Sequence, residues 1–193
     1  MPKITCIFLG YDGKKTKLIK FLENKNIKVN KILNNDLKIN DAINADIIIS
    51  FGYSKIINEK ILSKLRKPII NLHMSYLPYN RGAHPNFWSF IDSTPKGVTI
   101  HEISEGVDEG DIIFQKQFYL DPSIEKFSTF KKTYLFLFQA LEDLFITNFD
   151  KIINYPYLTK KQDKFFTIHR TKDLPKTFTN WDENIQEFLS KNN

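Results

Sequence analysis

Residues 45–52 read Ala-Asp-Ile-Ile-Ile-Ser-Phe-Gly, a short apolar run that ends abruptly at a glycine. Such a run is typical of a strand buried on both faces of a parallel sheet. Similar runs occur at residues 4–9, 29–33 and 68–72, and short helical patterns lie at residues 14–23 and 58–65. Because strands alternate with helices, the sequence predicts βαβ units: an α/β protein with a mostly parallel sheet flanked by helices.

The second half of the chain departs from this alternation. A short helix is predicted at residues 85–92, followed by strands at 98–103 and 111–119. From Phe127 to Phe145 large apolar residues recur every three or four positions, which predicts a long C-terminal amphipathic helix. The remainder is polar and rich in turns. We therefore expect a catalytic α/β domain over residues 1–150 and an irregular tail over residues 151–193 that packs on it.

Composition narrows the class of protein. The chain has 193 residues, of which 41% are hydrophobic and 26% charged, enough for one domain with a sizeable core. Its single cysteine, Cys6, excludes an intramolecular disulfide and a cysteine-based zinc cluster. No apolar run reaches the roughly 20 residues of a membrane span. Met1-Pro2-Lys3 leads into the first strand without the layout of an export signal. These features predict a cytoplasmic protein without a membrane partner.

The charge pattern bears on nucleic-acid binding. The net charge of +6 arises from 28 Lys and Arg against 22 Asp and Glu. The lysines are scattered instead of clustered, so a nucleic-acid partner is disfavoured.

Three polar side chains have the chemistry for acyl transfer to an amine. Asn71 and His73 alternate at the end of an apolar strand, so they point to the same side. Asp108 lies in a glycine-flanked turn over residues 106–111. An amide can donate to a developing oxyanion, an imidazole can move a proton, and a carboxylate can orient that imidazole. As residue types alone, these three side chains are weak evidence for catalysis, because a lone histidine after a strand more often has a structural role.

The order of these residues resembles a known family. Residues 71–82 (NLHMSYLPYNRG), 97–101 (GVTIH) and 107–113 (VDEGDII) are similar to the two signature blocks of the folate-dependent formyltransferases. That family includes the glycinamide ribonucleotide, methionyl-tRNA and nucleotide-sugar N-formyltransferases. The resemblance implies a Rossmann-like formyltransferase fold, catalytic roles for Asn71, His73 and Asp108, and N10-formyltetrahydrofolate as co-substrate without a metal.

The resemblance also implies where folate binds. Its pterin ring would lie against two segments, one after the third strand and one in the acidic turn. Pterin rings fit flat apolar slots edged with backbone hydrogen-bonding groups. An ordinary strand-to-helix turn explains the first segment equally well, and capping of the turn is the simpler role for Asp111. The predicted folate-binding residues are Phe51, Gly52, Tyr53, Ser54, Lys55, Ile56, Gly106, Val107 and Asp111.

Residues 80–89, with their Pro-Asn-Phe-Trp segment, look most like the nucleotide-sugar members of the family. The acceptor implied is a dTDP-linked 4-amino-4,6-dideoxyhexose used for surface polysaccharide such as lipopolysaccharide O-antigen. Arg81 would hold a phosphate or pin its own loop. Trp88 would stack on the base or pack in the core, and the latter is the simpler role. The predicted substrate-binding residues are Tyr11, Ser75, Pro78, Arg81, Gly82 and Trp88.

Other functions remain open at this point. A glycinamide ribonucleotide acceptor is disfavoured because Asp12, in the loop after the first strand, would repel a phosphate. A tRNA acceptor is disfavoured because a short segment follows Phe118. A non-catalytic folate-binding, nucleotide-binding or RNA-binding module is the alternative of another class. The broad apolar surface of the long helix also predicts a possible homodimer.

Overall fold

The computed structural model describes residues 4–192, so Met1, Pro2 and Lys3 of the predicted N-terminal layout lie outside the described residues. This part of the chain contains eight strands. They are β1 (Thr5–Gly10), β2 (Lys28–Ile32), β3 (Ile47–Phe51), β4 (Ile70–His73), β5 (Arg81–Gly82), β6 (Lys96–Glu102), β7 (Ile112–Phe118) and β8 (Ile168–His169). Six of them match predicted strands, and two, β5 and β8, were not predicted.

Six α-helices connect or cover these strands. They are α1 (Leu18–Asn24), α2 (Ile39–Ile43), α3 (Glu59–Leu62), α4 (Pro85–Ile91), α5 (Phe130–Ile153) and α6 (Ile185–Asn192). The first predicted helix starts later than expected, because residues 12–16 form a turn in which the Asp12 carboxylate accepts from the backbone N–H of Lys14 and Lys15. Sequence patterning predicted neither α2 nor α6, and α6 lies in the segment that was expected to be irregular.

The main sheet has six strands in the order β2-β1-β3-β4-β6-β7. Strands β2, β1, β3 and β4 pair in parallel with one another. Strand β6 pairs antiparallel with both of its neighbours, β4 and β7. In β1, Cys6 and Phe8 pack into one apolar cluster and Ile7 and Leu9 into the other. The sheet is therefore buried on both faces, which explains the unbroken apolar runs and confirms the predicted fold class.

Helix α5 supplies much of the core on one face of the sheet. It begins at Phe130 instead of Phe127, because the Thr129 side chain caps it by accepting from the N–H of Lys132. Its buried residues recur every three or four positions: Phe130, Thr133, Leu137, Leu141, Phe145, Phe149 and Ile152. A hydrogen bond from the Thr16 hydroxyl to the buried Glu142 carboxylate (2.6 Å) ties α5 to the loop after β1.

The segment after α5 lies against the rest of the molecule at several points. Lys160 and Ile112 exchange backbone hydrogen bonds of 2.7 and 2.8 Å, and β8 pairs in parallel with β5. Helix α6 buries Ile185 and Phe188, and the Phe188 ring packs against Phe87 at 5.5 Å. The division into a domain over residues 1–150 and a tail over residues 151–193 stays a prediction. None of the helices within residues 4–192 has the length and hydropathy to cross a membrane.

Replacement of Phe145 by alanine tests the role of α5 in the core. Phe145 is fully buried, so Phe145→Ala leaves a cavity and should lower the free energy of unfolding by about 3–5 kcal/mol. Leu135 is on the same helix but 54% exposed, and Leu135→Ala should change the free energy of unfolding by about 0.5 kcal/mol or less. Urea titration of both variants makes the measurement. Equal losses would contradict this assignment of the buried face.

Candidate active site

The centre of the site is the carboxylate of Asp108, which lies in the turn between β6 and β7 with its side chain 15% exposed. Its backbone has φ of +52°, in the left-handed region that non-glycine residues seldom adopt. The Asn71 amide donates to Oδ1 at 3.2 Å, and the backbone N–H of Gly82 donates to Oδ2 at 2.8 Å. Strands β4 and β5 thus each supply a hydrogen bond to one carboxylate.

Two imidazoles flank this carboxylate on opposite oxygens. His73 Nδ1 lies 3.5 Å from Oδ2, and His101 Nε2 lies 3.5 Å from Oδ1. Burial alone would raise the pKa of Asp108. The positive charges that His73 and His101 carry when protonated, together with the hydrogen bond from Gly82, outweigh that effect and hold the pKa of Asp108 well below the usual range. Asp108 is therefore ionised at neutral pH.

The partners of the two histidines define which nitrogen carries hydrogen. His73 Nε2 lies 3.1 Å from the carbonyl oxygen of Asn80, and His101 Nδ1 lies 2.7 Å from that of Glu102. Because a carbonyl only accepts, each of these nitrogens is the donor. His101 Nε2 is then free to accept from the Asn71 amide at 3.0 Å. Nδ1 of His73, facing Asp108, is left as the nitrogen that gains or loses a proton.

Asn80 holds the carbonyl that fixes His73. It is fully buried with φ of +56°. Its side-chain amide donates to Asp92 at 3.2 Å and its side-chain oxygen accepts from Thr94 at 2.6 Å. Its backbone N–H donates to the Thr167 hydroxyl at 2.8 Å. These contacts leave the carbonyl little freedom, so the orientation of His73 is set before any ligand binds.

The predicted folate-binding residues divide into two groups. Gly106 lines an open groove of about 500 Å³ between α3 and the β6–β7 turn, together with Glu59, Leu62, Ser63 and residues 103–105 and 109. Ile56 and Val107 expose 90% and 48% of their surface. In the other group, described next, the side chains of Phe51 and Tyr53 are engaged elsewhere.

The side chains of Phe51 and Tyr53 both make contacts within the protein. The Phe51 side chain is 1% exposed and packs against Tyr11 and Phe138, which leaves its backbone as the part that a pterin could contact. Its role in folate binding stays a prediction. The Tyr53 hydroxyl donates to the carbonyl of Asn35 at 2.9 Å. Gly52, Ser54 and Lys55 are exposed, and Asp111 is half-buried.

Several predicted substrate-binding side chains are also committed within the protein. Trp88 is 7% exposed and stacks on His169 at 3.8 Å, which excludes stacking of Trp88 on a base in this conformation. Ser75 is 2% exposed, and Pro78 is buried. Arg81 is 5% exposed, and its guanidinium contacts the side chains of Gln162 and Glu109. The Tyr11 ring packs over Gly52 and remains half-buried.

Comparison with known proteins adds independent evidence. The family model described as "Formyl transferase" matches residues 10–135, well over half of the chain. The chain belongs to the formyl transferase family. It is 30% identical over 128 residues to the dTDP-4-amino-4,6-dideoxyglucose formyltransferase of Mycobacterium bovis, which covers 66% of this chain and 52% of that protein. The chain therefore spans about half the length of the curated relatives that it matches first.

Two further comparisons show the range of relatives within the formyl transferases. A methionyl-tRNA formyltransferase of Ehrlichia ruminantium is 31% identical over 136 residues, which is 66% of this chain and 45% of that protein. The crystal structure of the formyltransferase PseJ from Anoxybacillus kamchatkensis is 35% identical, with a TM-score of 0.84. That alignment covers 98% of this chain and 100% of PseJ.

Two site residues of this formyl transferase escaped the sequence analysis. His101 was interpreted as a strand residue, but it pairs with Asn71 across the antiparallel β4–β6 ladder and contacts the same carboxylate. Gln162, in the segment after α5, binds the backbone of the turn that holds Asp108. The period of two in β6, which puts His101 on the same face as Thr99, was the available signal for the first. Nothing local signals the second. In the part of the chain that the structure describes, no group of three or more His, Cys, Asp or Glu side chains has an arrangement that could hold a metal ion.

Protonation of His73 and His84 should make the protein less stable in mild acid. Burial lowers the pKa of His73 below its usual 6.5, partly offset by Asp108, and burial also lowers the pKa of His84. The unfolded chain therefore binds more protons as the pH falls through about 6.5, so the free energy of unfolding decreases. Each group contributes at most about 1.4 kcal/mol per pH unit.

Urea titrations at pH 7.5 and 5.5 measure this dependence. His73→Gln should reduce the loss of stability between the two pH values, and His84→Gln should reduce it separately. An undiminished loss in His73→Gln would show that its imidazole is not held neutral by burial.

Proposed function

We propose that the chain transfers the formyl group of N10-formyltetrahydrofolate to the amine of a nucleotide-linked 4-amino-4,6-dideoxyhexose. The observation that carries the proposal is the meeting of Asn71, His73 and Asp108 at hydrogen-bonding or ion-pair distance. The crystal structure of PseJ is described as a complex with UDP-4,6-dideoxy-4-formamido-L-AltNAc and tetrahydrofolate. That of an N-formyltransferase from Helicobacter canadensis is described as a complex with folinic acid and dTDP-3-aminofucose. Both support a sugar amine as acceptor and a folate as donor.

The reaction needs one proton to leave and one to arrive. The amine nitrogen attacks the formyl carbon, the bond from that carbon to N10 of the folate breaks, and N10 takes a proton while the amine loses one. Nδ1 of His73 is suited to this transfer, because Nε2 is occupied by the Asn80 carbonyl. The Asp108 carboxylate, 3.5 Å from Nδ1, stabilises the imidazolium that forms when Nδ1 takes up a proton.

Asn71 has both amide hydrogens engaged, one with His101 and one with Asp108. To donate to the oxyanion of the tetrahedral intermediate it must release one of them. The bond to Asp108 is the longer, at 3.2 Å against 3.0 Å, and is the one we expect to give way. Asp108 keeps its bond from Gly82 when this happens, so the carboxylate stays in place.

A candidate surface for folate binding lies beside the cluster of Asn71, His73 and Asp108. The groove at α3 and the exposed side chains of Ile56 and Val107 offer apolar area next to the backbone of the β6–β7 turn. A flat ring bound there would bring its attached formyl group toward Asp108, which belongs to the same turn.

Alanine substitution tests the catalytic assignment. Asn71→Ala, His73→Ala and Asp108→Ala should each lower the rate of formyl transfer by about 100-fold or more, because each removes a group acting on developing charge or on the transferred proton. Asp41→Ala, at an exposed position in α2, serves as the matched control and should keep the parent rate. Near-normal turnover in all three site variants, with unchanged circular dichroism, would disprove the mechanism.

The acceptor is identified by a screen with product mass as the readout. UDP- and dTDP-linked 4-amino-4,6-dideoxyhexoses are tested with the formyl donor beside glycinamide ribonucleotide. We expect a mass gain of one formyl group in an amino sugar only. The mycobacterial relative supports a dTDP-linked sugar and PseJ supports a UDP-linked sugar. Comparing the two kinds of acceptor in the screen therefore identifies the base of the nucleotide. Formylation of glycinamide ribonucleotide alone would assign the chain to another branch of the family.

Cellular location and assembly stay predictions. Cys6 is a buried free thiol, which suits a reducing compartment and supports a cytoplasmic location. A homodimer through α5 would cover Leu135 and the groove that Phe118 and Phe136 line. Sedimentation velocity of the parent chain decides the oligomeric state.

A further inference from the structure

A glutamine far along the chain binds the turn that carries Asp108. Gln162 Nε2 donates to the backbone carbonyl of Asp108 at 2.8 Å and to that of Gly110 at 2.8 Å. Its Oε1 accepts from Arg81 Nη2 at 2.8 Å and from Arg81 Nε at 3.2 Å. Both amide hydrogens and both lone pairs of the oxygen are therefore used, which is the full capacity of this side chain.

The turn needs such a support because its backbone is unfavourable. Asp108 has φ of +52°, a conformation that costs a non-glycine residue free energy unless the surroundings impose it. Its carbonyl and that of Gly110 would otherwise be satisfied only by water. The glutamine amide binds both carbonyls and so fixes the backbone conformation of the turn from Asp108 through Glu109 to Gly110. The position of the Asp108 side chain depends on that backbone conformation.

Gln162 is itself fixed on both sides along the chain. Two residues before it, Lys160 exchanges two backbone hydrogen bonds with Ile112 at the start of β7. Six residues after it, Ile168 of β8 pairs with Arg81 of β5. The segment between these anchors crosses directly over the turn, so the side chain has little freedom to leave it.

Arg81 completes the arrangement from the opposite direction. Its buried guanidinium also contacts the Glu109 carboxylate at 3.2 Å and lies 4.4 Å from the centre of the Phe166 ring. The guanidinium has no acceptor role, so it fixes which end of the Gln162 amide faces the turn.

We infer that Gln162 is a positioning residue for formyl transfer, acting through the backbone of Asp108 to set the distance between its carboxylate and His73. The rate effect rests on the proposed function, whereas the geometric effect does not. Arg81 is the partner that orients Gln162, in place of the phosphate-binding role considered from sequence. The segment after α5 thus supplies part of the active site instead of only covering the domain.

Steady-state kinetics of Gln162→Ala test the first consequence. We expect kcat for formyl transfer to fall about 10- to 100-fold, because a displacement of about 1 Å at a reacting group has effects of this size. The KM values for the formyl donor and the acceptor should stay within about twofold, since Gln162 itself holds neither. Gln186→Ala, the same change at an exposed position of α6, is the control and should keep the parent kcat.

Gln162→Glu separates the role of the side-chain oxygen, which accepts from Arg81, from that of the NH2 group, which donates to the turn. A glutamate keeps an acceptor for Arg81 but places a carboxylate oxygen against the carbonyls of Asp108 and Gly110. It should lose kcat at least as strongly as Gln162→Ala while the segment after α5 remains docked. This variant also keeps the inference testable where Gln162→Ala does not fold.

Nitrogen-15 NMR of the imidazoles gives a readout that needs no catalysis. Asp108 raises the pKa of His73, so movement of its carboxylate away from Nδ1 should shift the His73 titration to lower pH in Gln162→Ala and Gln162→Glu. Gln186→Ala should leave the titration unchanged.

The outcomes distinguish the two proposals. A parent kcat with an unshifted His73 titration overturns the inference. A lower melting temperature without a change in kcat or in the titration also overturns it, because it assigns Gln162 a merely structural role. Absence of formyl transfer in the parent chain, together with a shifted titration, refutes the proposed function and leaves the geometric role of Gln162 supported.

Discussion

Burial of the Asp108 carboxylate is the constraint around which the site is organised. An ionised carboxylate loses several kcal/mol of hydration when it leaves water, and only well-placed donors offset that cost. Here the Asn71 amide on β4 and the backbone N–H of Gly82 on β5 are the donors, and the imidazoles of His73 and His101, which carry positive charge when protonated, lie beside the carboxylate. Each element must be in register for the charge to be tolerated. The same requirement that makes the site reactive therefore also couples β4, β5 and β6 to the turn.

The local part of this arrangement could be predicted from sequence. The apolar runs marked the parallel strands, and their period of two put Asn71 and His73 on one side of β4. The order of motifs placed Asp108 in the acidic turn. These inferences succeed because they depend on neighbours within a few residues, where burial and alternation dominate.

The remaining features depend on pairing between distant segments. His101 meets Asn71 only through the antiparallel register of β4 and β6, next to an irregularity between Ile100 and His101. Gln162 reaches Asp108 across 54 residues and Arg81 across 81. Arg81 and Trp88 were assigned to substrate as one alternative, because a guanidinium can hold a phosphate and an indole can stack on a base. Their partners, Gln162 and His169, belong to a segment whose polar composition gives no sign of where it docks.

The docking of that segment has a spectroscopic consequence. The chain has two tryptophans, and each lies where the last forty residues meet the rest of the molecule. Trp88 stacks on His169, and the Trp181 ring lies 5.2 Å from that of His84 and 4.6 Å from that of Phe178. Detachment of the C-terminal segment would uncover the indole of Trp88 and increase the exposure of Trp181, which is 38% exposed when the segment is docked. Intrinsic fluorescence therefore reports, without any label, whether the polypeptide that crosses the reaction centre is seated.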